Sequence, residues 1–181
     1  MIEPLTTRDK LLLHARNLFW ARGFSNVSVR MVAKGAGVDV ALISRHFGGK
    51  RGLFEETVRI GYADLAIPDA VPALVDYIVG LYSDGSHHDG TPSLIQMITS
   101  NAHDEEVGQF VRDAHHDHLQ IQLEKAIGRA DRAALLTAIL IGFAVAEKGL
   151  CLDGIAKPPG GAAHIAQLRA LMQAALNYDP D

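Results

Sequence analysis

Cationic and short polar side chains lie between residues 28 and 50 at positions that suit contact with a nucleic acid. Lys50 lies where a helix would begin, so its ammonium and the free backbone N–H groups of the first turn could hold one phosphate together. Arginine can pair bidentately with guanine, whereas Val and Ala can only pack against thymine methyl groups. We therefore expect base contacts from Val40, Ala41 and Ser44, with Arg30 and Arg45 as the long basic side chains near them.

The stretch that carries these residues, SVRMVAKGAGVDVALISRHFGGK, has the pattern of two short helices joined by a glycine-containing turn. The first helix is predicted over residues 29–35, with inward-facing apolar positions at Val29, Val32 and Ala33. Asp39 can cap the second helix, and its carboxylate could alternatively contact cytosine. Ile43 and Phe47, four residues apart, would fix that helix to the core. The pattern predicts a helix-turn-helix, which places its second helix in the major groove of DNA.

The charge distribution supports the same prediction. Residues 1–60 hold ten Lys or Arg and five Asp or Glu, out of 17 and 21 in the chain, which leaves seven basic and sixteen acidic residues after position 60. A net charge of −4 conceals this division. A basic segment can bind the phosphates of DNA, whereas an acidic segment is repelled by them. We therefore expect a DNA-binding module attached to a second domain.

From Thr7 to Leu53 the chain resembles the DNA-binding domain of the TetR family of one-component transcriptional regulators. The resemblance rests on a first helix ending in ARGF, then SVRMVAKGAGV, then HFGGKRGLF, without a gap in the spacing. It implies an all-α protein with a helix-turn-helix domain over residues 1–50 and a larger helical domain for effector binding and dimerisation over residues 51–181. It also implies a sequence-specific regulator, a repressor that a small molecule releases from a pseudo-palindromic operator.

Two polar positions take their roles from this resemblance. His46 and Ser28 lie where members of the family hydrogen-bond the DNA backbone, contacts that fix register and carry little sequence information. Two positions depart from the family pattern: Ser44 stands where a Tyr is most common, and Val29 where a second hydroxyl residue is common. The short Ser44 hydroxyl reaches less far, so one contact would be absent or mediated by water.

The remainder of the chain is predicted to be helical, because strand-type alternation is hard to find in it. A fourth helix from Lys50 into the sixties is followed by a break at Pro68 and Pro72 and by loop chemistry at residues 83–90. Thr91 is expected as a cap, with Pro92 at the first helical position. Further helices are predicted over 73–82, 91–101, 104–127, 132–150 and 162–176, with a Pro/Gly-rich connector at 153–161.

The last two predicted helices are candidates for a homodimer interface. Small residues alternate with Leu, Ile and Phe between residues 132 and 150, which suits close approach of another helix, and residues 162–176 carry an apolar stripe. Packing inside one chain explains the same pattern equally well. The candidate interface residues are Leu135, Ile139, Gly142, Phe143, Ile165, Leu168 and Met172.

A small-molecule effector is expected from the resemblance, and the sequence indicates only where it could bind. Candidate pocket residues are apolar or polar-tipped aromatic side chains of the middle helices, and each could equally be ordinary core. They are Tyr62, Tyr77, Ile95, Ile98 and Phe110. No charged clamp is evident, so a hydrophobic effector is expected.

Histidines cluster among acidic residues at His87, His88, His103, His115, His116 and His118. Imidazoles at i and i+3 can ligate zinc or nickel from one helix face, but they can equally be solvated or respond to pH. No Cys partner and no HExxH motif accompanies them, so we expect neither a metal nor another cofactor.

Other classes of protein find less support. No nucleophile, base and orienting group have recognisable spacing, so an enzyme is not expected. No secretory signal or membrane-length apolar stretch is evident, and Cys151 is alone, so we expect a cytoplasmic protein. The alternative function is a dimeric helical scaffold that binds a ligand or partner without specific DNA recognition.

Overall fold

A computed structural model describes residues 5–83 and 91–180, and all regular structure in these ranges is helical. The all-α prediction is therefore confirmed. Two short π-helical turns interrupt the helices, at His116–Gln120 and Val145–Gly149. The helices are α1 (Thr7–Arg22), α2 (Val29–Ala36), α3 (Ala41–Phe47), α4 (Lys50–Ala63), α5 (Val71–Ser83), α6 (Leu94–Asn101), α7 (Gly108–His115), α8 (Ile121–Ile127), α9 (Ala130–Ala144) and α10 (Ala162–Leu176).

The chain divides into two compact units, and each unit consists of two separate segments of the sequence. The first unit contains α1 to α4 together with α6 and α7, and the second contains α5 and α8 to α10. As a packing unit, the first therefore extends past residue 50 and takes in residues 92–115. The division at residues 50 and 51 stays a prediction about which segments bind DNA and which bind an effector.

The first unit is built around the buried face of α1. Leu11, Ala15 and Phe19 recur at four-residue intervals and are fully buried, as an amphipathic helix requires. The helix begins with a capping box, in which the Thr6 side chain accepts the Asp9 N–H and the Asp9 carboxylate accepts the Thr6 N–H. These features fix the helix against which α2, α4 and α6 pack.

A glycine allows α1 and α4 to approach closely. A Cβ atom at Gly61 would lie 2.4 Å from Cη2 of Trp20, whose side chain is fully buried. We predict that Gly61→Ala lowers the free energy of unfolding. Overpacking destabilises by about 1–3 kcal/mol, whereas the higher helix propensity of Ala stabilises by about 1 kcal/mol. Chemical denaturation checks this prediction. Gly80→Ala is the control, since a Cβ there meets nothing within 4 Å, and it should be neutral or stabilising.

The second unit has its own apolar core, which is formed mainly by α5, α9 and α10. Leu74 and Ile78 of α5 meet Leu136 of α9 and Leu168 of α10 in this core. The apolar stripe predicted over residues 162–176 is thus largely turned toward its own chain, and the predicted helix bounds agree with α10.

Three local predictions need correction. The Ser93 hydroxyl accepts the Gln96 N–H at 3.2 Å, so Ser93 caps α6 and Pro92 precedes the helix instead of beginning it. The helix predicted over 104–127 is divided into α7, a π turn and α8, and that over 132–150 changes to a π turn after Ala144. A π turn adds a residue per turn, which apolar periodicity in the sequence does not reveal.

Candidate nucleic-acid interface

The predicted helix-turn-helix is present as α2, a short turn and α3. Gly37 ends α2 in the left-handed conformation at φ 67°, and its N–H donates to the carbonyls of Ala33 and Lys34. A side chain at this φ would be strained, so glycine suits the turn. The Asp39 carboxylate accepts the Ala41 N–H at 2.7 Å, although Val40 is the residue that caps α3. Asp39 thus supports the start of α3, which favours the capping interpretation over a cytosine contact.

The corner between α3 and α4 also depends on glycine. Gly48 and Gly49 have φ values of 74° and 131°, which few other residues adopt. A Cβ atom at Gly52 would lie 2.0 Å from the carbonyl oxygen of Phe47, the last residue of α3. The first turn of α4 therefore lies directly against the end of α3 and fixes its direction.

Seven of the eight predicted DNA contacts are exposed: Ser28, Arg30, Val40, Ala41, Ser44, Arg45 and His46. Val40 is 40% exposed, which is unusual for a Val and suits contact with a thymine methyl group. The Ser28 hydroxyl accepts the Met31 N–H at 3.3 Å and so caps α2. Its own proton stays available for a phosphate oxygen.

The eighth predicted contact, Lys50, is half-buried at the first position of α4. Its Nζ atom lies 4.0 Å from the centroid of the Phe24 ring, within the range of a cation–π interaction. Gly49 is the N-cap residue of this helix and provides no side-chain cap. An ammonium and uncapped N–H groups at one helix start match the phosphate site expected from the sequence.

Basic residues of the first unit differ in whether they have a carboxylate partner. Arg8 and Arg59 both form ion pairs with Glu56, and Arg51 pairs with Glu55 at 2.8 Å. Within the described ranges, no carboxylate lies within ion-pairing distance of the groups on α2 and α3, namely Arg30, Lys34 and Arg45. The cations near α3 therefore keep their full charge available for phosphates and bases.

Lys34 is a candidate contact that the sequence reasoning missed. It is exposed on α2, one turn after Arg30, and this i, i+4 spacing is the signal that could have identified it. We predict that Lys34→Ala weakens binding to all duplexes alike and lowers the slope of log K against log salt by about 0.9. Titrations at several salt concentrations measure this slope. Arg59→Ala removes the same charge from a residue paired with Glu56 and should leave the slope unchanged.

The candidate effector residues divide between the two units. Tyr62, Ile95, Ile98 and Phe110 belong to the first unit, and Tyr77 belongs to the second. Tyr62 is buried, which raises the pKa of its phenol, and its hydroxyl lies 3.4 Å from Nδ1 of His115. The Tyr77 hydroxyl accepts the Ala66 N–H at 3.3 Å. The pocket assignment stays a prediction.

Within residues 5–83 and 91–180, the clustered histidines do not form a metal site. His87 and His88 lie outside the described residues, and elsewhere no group of three or more His, Cys, Asp or Glu could hold a metal ion. Among the described helices, none is long and apolar enough to cross a membrane.

A buried histidine–glutamate pair in the second unit was also missed. Nε2 of His164 lies 3.2 Å from Oε1 of Glu147, and Nδ1 of His164 accepts the Gly160 N–H at 3.2 Å. Because Nδ1 is an acceptor, the imidazole proton lies on Nε2 and faces the carboxylate. No spacing within one helix could have revealed this pair, since Glu147 and His164 belong to different elements.

The candidate dimer residues separate into core and surface. Phe143, Leu168 and Met172 are buried in the core of the second unit, so they are not available to a second copy, and their assignment to an interface is wrong. They are buried because α9 and α10 pack on each other and on α5. Gly142 is exposed, and Leu135, Ile139 and Ile165 are half-buried.

The fold of the first unit and the exposed cationic face of α2 and α3 define a helix-turn-helix DNA-binding protein. Comparison with known sequences agrees, because residues 11–57 match the family described as bacterial regulatory proteins, tetR family. The N-terminal domain therefore belongs to the tetR family of bacterial regulatory proteins, as the sequence resemblance implied. Regulators of this family are DNA-binding proteins and not enzymes.

Individual relatives support this assignment over different lengths. YttP of Bacillus subtilis, a probable HTH-type transcriptional regulator, is 50% identical over 30% of this chain and 26% of its own. The HTH-type transcriptional regulator BetI of Vibrio atlanticus is 28% identical over 86% of this chain and 78% of its own. A solved tetR-family transcriptional regulator from Streptomyces coelicolor matches with a TM-score of 0.59 and 23% identity, over 98% of this chain and 85% of its own. That likeness shows the fold.

Proposed function

We propose that the protein is a homodimeric repressor that binds a two-fold symmetric operator in the cytoplasm and leaves it when a small molecule binds. The observation that carries the proposal is the exposed face of α2 and α3, where Arg30, Lys34 and Arg45 have no carboxylate partner among the described residues. Cations that are free of internal partners do not have to break an ion pair before they contact DNA. Arg45 lies on α3 and can pair with guanine, whereas Arg30 and Lys34 on α2 suit phosphates.

Dimerisation is proposed from the outer faces of α9 and α10. On α9, Ala134, Ala138 and Gly142 are exposed one turn apart, and a Cβ at Gly142 would meet nothing in its own chain. On α10, Ala166 and Ala170 are exposed at the same spacing. Small side chains let helices approach closely, so two such pairs would form a four-helix bundle, as members of the family pair. A dimer also presents two α3 helices to half-sites about 34–36 Å apart.

Release by an effector requires only that the effector binds the released conformation more tightly. A difference of about 1–3 kcal/mol between the two conformations is typical of such coupling. A hydrophobic effector remains our proposal, supported by the mainly apolar core of the second unit. The buried pair of Glu147 and His164 is one polar feature of the second unit.

Selection from random double-stranded DNA at fixed salt tests the proposed function. We expect enrichment of a two-fold symmetric motif, together with a dimer in sedimentation measurements. Binding that depends strongly on salt but enriches no motif would contradict sequence-specific regulation, because phosphate contacts alone give affinity without sequence preference. A monomer at micromolar concentration that still enriches a symmetric motif would contradict the proposed α9 and α10 interface.

A further inference from the structure

One buried side chain connects α6 to the segment that leads into the helix-turn-helix. Asn101 is the last residue of α6 and is fully buried. Its Oδ1 accepts the Phe24 N–H at 2.7 Å, and its Nδ2 donates to the carbonyls of Phe19 at 3.2 Å and Met97 at 2.8 Å. The carboxamide therefore fixes the end of α1 and the residue that follows it. A buried backbone N–H without such a partner is costly, so the position of Phe24 depends on Asn101.

Phe24 in turn supports the candidate phosphate contact. Its ring is buried and packs on Phe54 of α4 at a centroid distance of 5.3 Å and on Phe19 at 5.7 Å. The face of the same ring lies 4.0 Å from Nζ of Lys50. Any movement of the Phe24 backbone would therefore move the surface on which the Lys50 ammonium lies.

A second tether joins the same two segments. The Ser25 hydroxyl donates to Oδ2 of Asp104 at 2.6 Å, and Oδ1 of Asp104 accepts the N–H groups of Glu106 and Val107. Burial raises the pKa of the Asp104 carboxyl, but these hydrogen bonds lower it by more. The pKa of Asp104 therefore lies below its usual value. Ser25 lies three residues before Ser28, which caps α2. The end of α6 and the corner after it thus hold Phe24 and Ser25, in the segment that leads into α2.

We propose that Asn101 is a positioning residue for DNA binding, which acts through Phe24 to hold Lys50 and the start of α2 in place for phosphate contact. This inference rests on the proposed DNA-binding function. Asn101 does not touch DNA, and its contribution is to keep Lys50 ordered before the duplex arrives. Ordering a long side chain in advance removes an entropic cost of binding.

The test compares two substitutions that each remove buried hydrogen bonds in the first unit. Asn101→Leu is close in size and removes all three bonds. Thr57→Val removes the bond that Thr57 accepts from Nε1 of Trp20 at 3.2 Å and the bond that it donates to the Phe54 carbonyl at 2.7 Å. Affinity for the selected operator is measured per folded molecule by fluorescence anisotropy. Asn101→Leu should lower this affinity about tenfold, the size of a lost charge-assisted contact, and Thr57→Val should leave it unchanged. Equal affinities in both variants would overturn the proposal.

A double-substitution cycle with Lys50→Met tests the route. In the Lys50→Met protein, Asn101→Leu should cost less than about threefold further, because the contact that it positions is already absent. A full tenfold loss in that background would contradict the route through Lys50. If Asn101→Leu does not fold, Asn101→Ser, whose side chain cannot reach the Phe24 N–H, decides by the same criteria.

Hydrogen exchange separates this inference from the proposed function. The Phe24 N–H should exchange faster in Asn101→Leu than in the parent, and in Thr57→Val at the parent rate, with no DNA present. An unchanged exchange rate in Asn101→Leu would overturn the positioning role. A parent protein that enriches no duplex would instead contradict the DNA-binding function.

Discussion

Gly52→Ala should strongly weaken specific DNA binding while leaving the second unit folded. The new Cβ would lie 2.0 Å from the carbonyl oxygen of Phe47, so the end of α3 or the first turn of α4 must move. A displaced α3 loses its base contacts, each worth about 1–3 kcal/mol, so specific affinity should fall by about two orders of magnitude. Anisotropy titration of a selected operator measures this loss.

The matched control is Gly61→Ala on the same helix. It also forces a steric conflict, but against Trp20 instead of the corner between α3 and α4. It should therefore lower the free energy of unfolding while the folded molecules keep their affinity for the operator. If Gly52→Ala bound the operator as tightly as the parent per folded molecule, α4 would not set the direction of α3.

Arg45→Ala and Lys50→Ala should weaken binding in two different ways. Arg45 is exposed on α3, so its loss should relax preference at particular base pairs by about 1–3 kcal/mol. Lys50 stands at the start of α4, so its loss should weaken binding to all sequences and flatten the salt dependence. Competition between the operator and single-base-pair variants, at several salt concentrations, measures both effects.

The two variants are controls for each other because each removes one positive charge. Equal losses on every sequence for Arg45→Ala would show that Arg45 contacts phosphate and not a base. A loss for Lys50→Ala that depends on sequence would show that Lys50 contacts a base edge. Either result would change the assignment of roles along the surface formed by α2, α3 and the start of α4.

The sequence predicted the helix-turn-helix well because its determinants are local. Gly37 requires a left-handed turn, Ser28 is a favoured cap, and Ile43 and Phe47 lie on one side of a short helix. Each of these signals acts within a few residues. The bounds of α4 and α10 were predicted for the same reason, since apolar periodicity and a capping or breaking residue mark them.

The features that the sequence did not predict depend on distant residues or on backbone register. Asn101 contacts Phe19 and Phe24, which lie 82 and 77 residues away, and Glu147 meets His164 across two elements. No spacing rule within one helix reveals such contacts. The sequence could not predict that Leu168 and Met172 face the core of their own chain. An apolar helix face is expected both for packing within one chain and for packing against a second copy.

The central claim is that α3 gives sequence-specific binding. The most direct measurement compares the affinity of the parent for the selected operator with its affinity for a shuffled duplex of the same composition, at physiological salt. The Arg45→Ala, Lys50→Ala double variant is measured alongside. We expect the parent to prefer the operator by at least about a thousandfold, as specific DNA-binding proteins do, and the double variant to lose most of this preference. Equal affinity of the parent for both duplexes would contradict the claim.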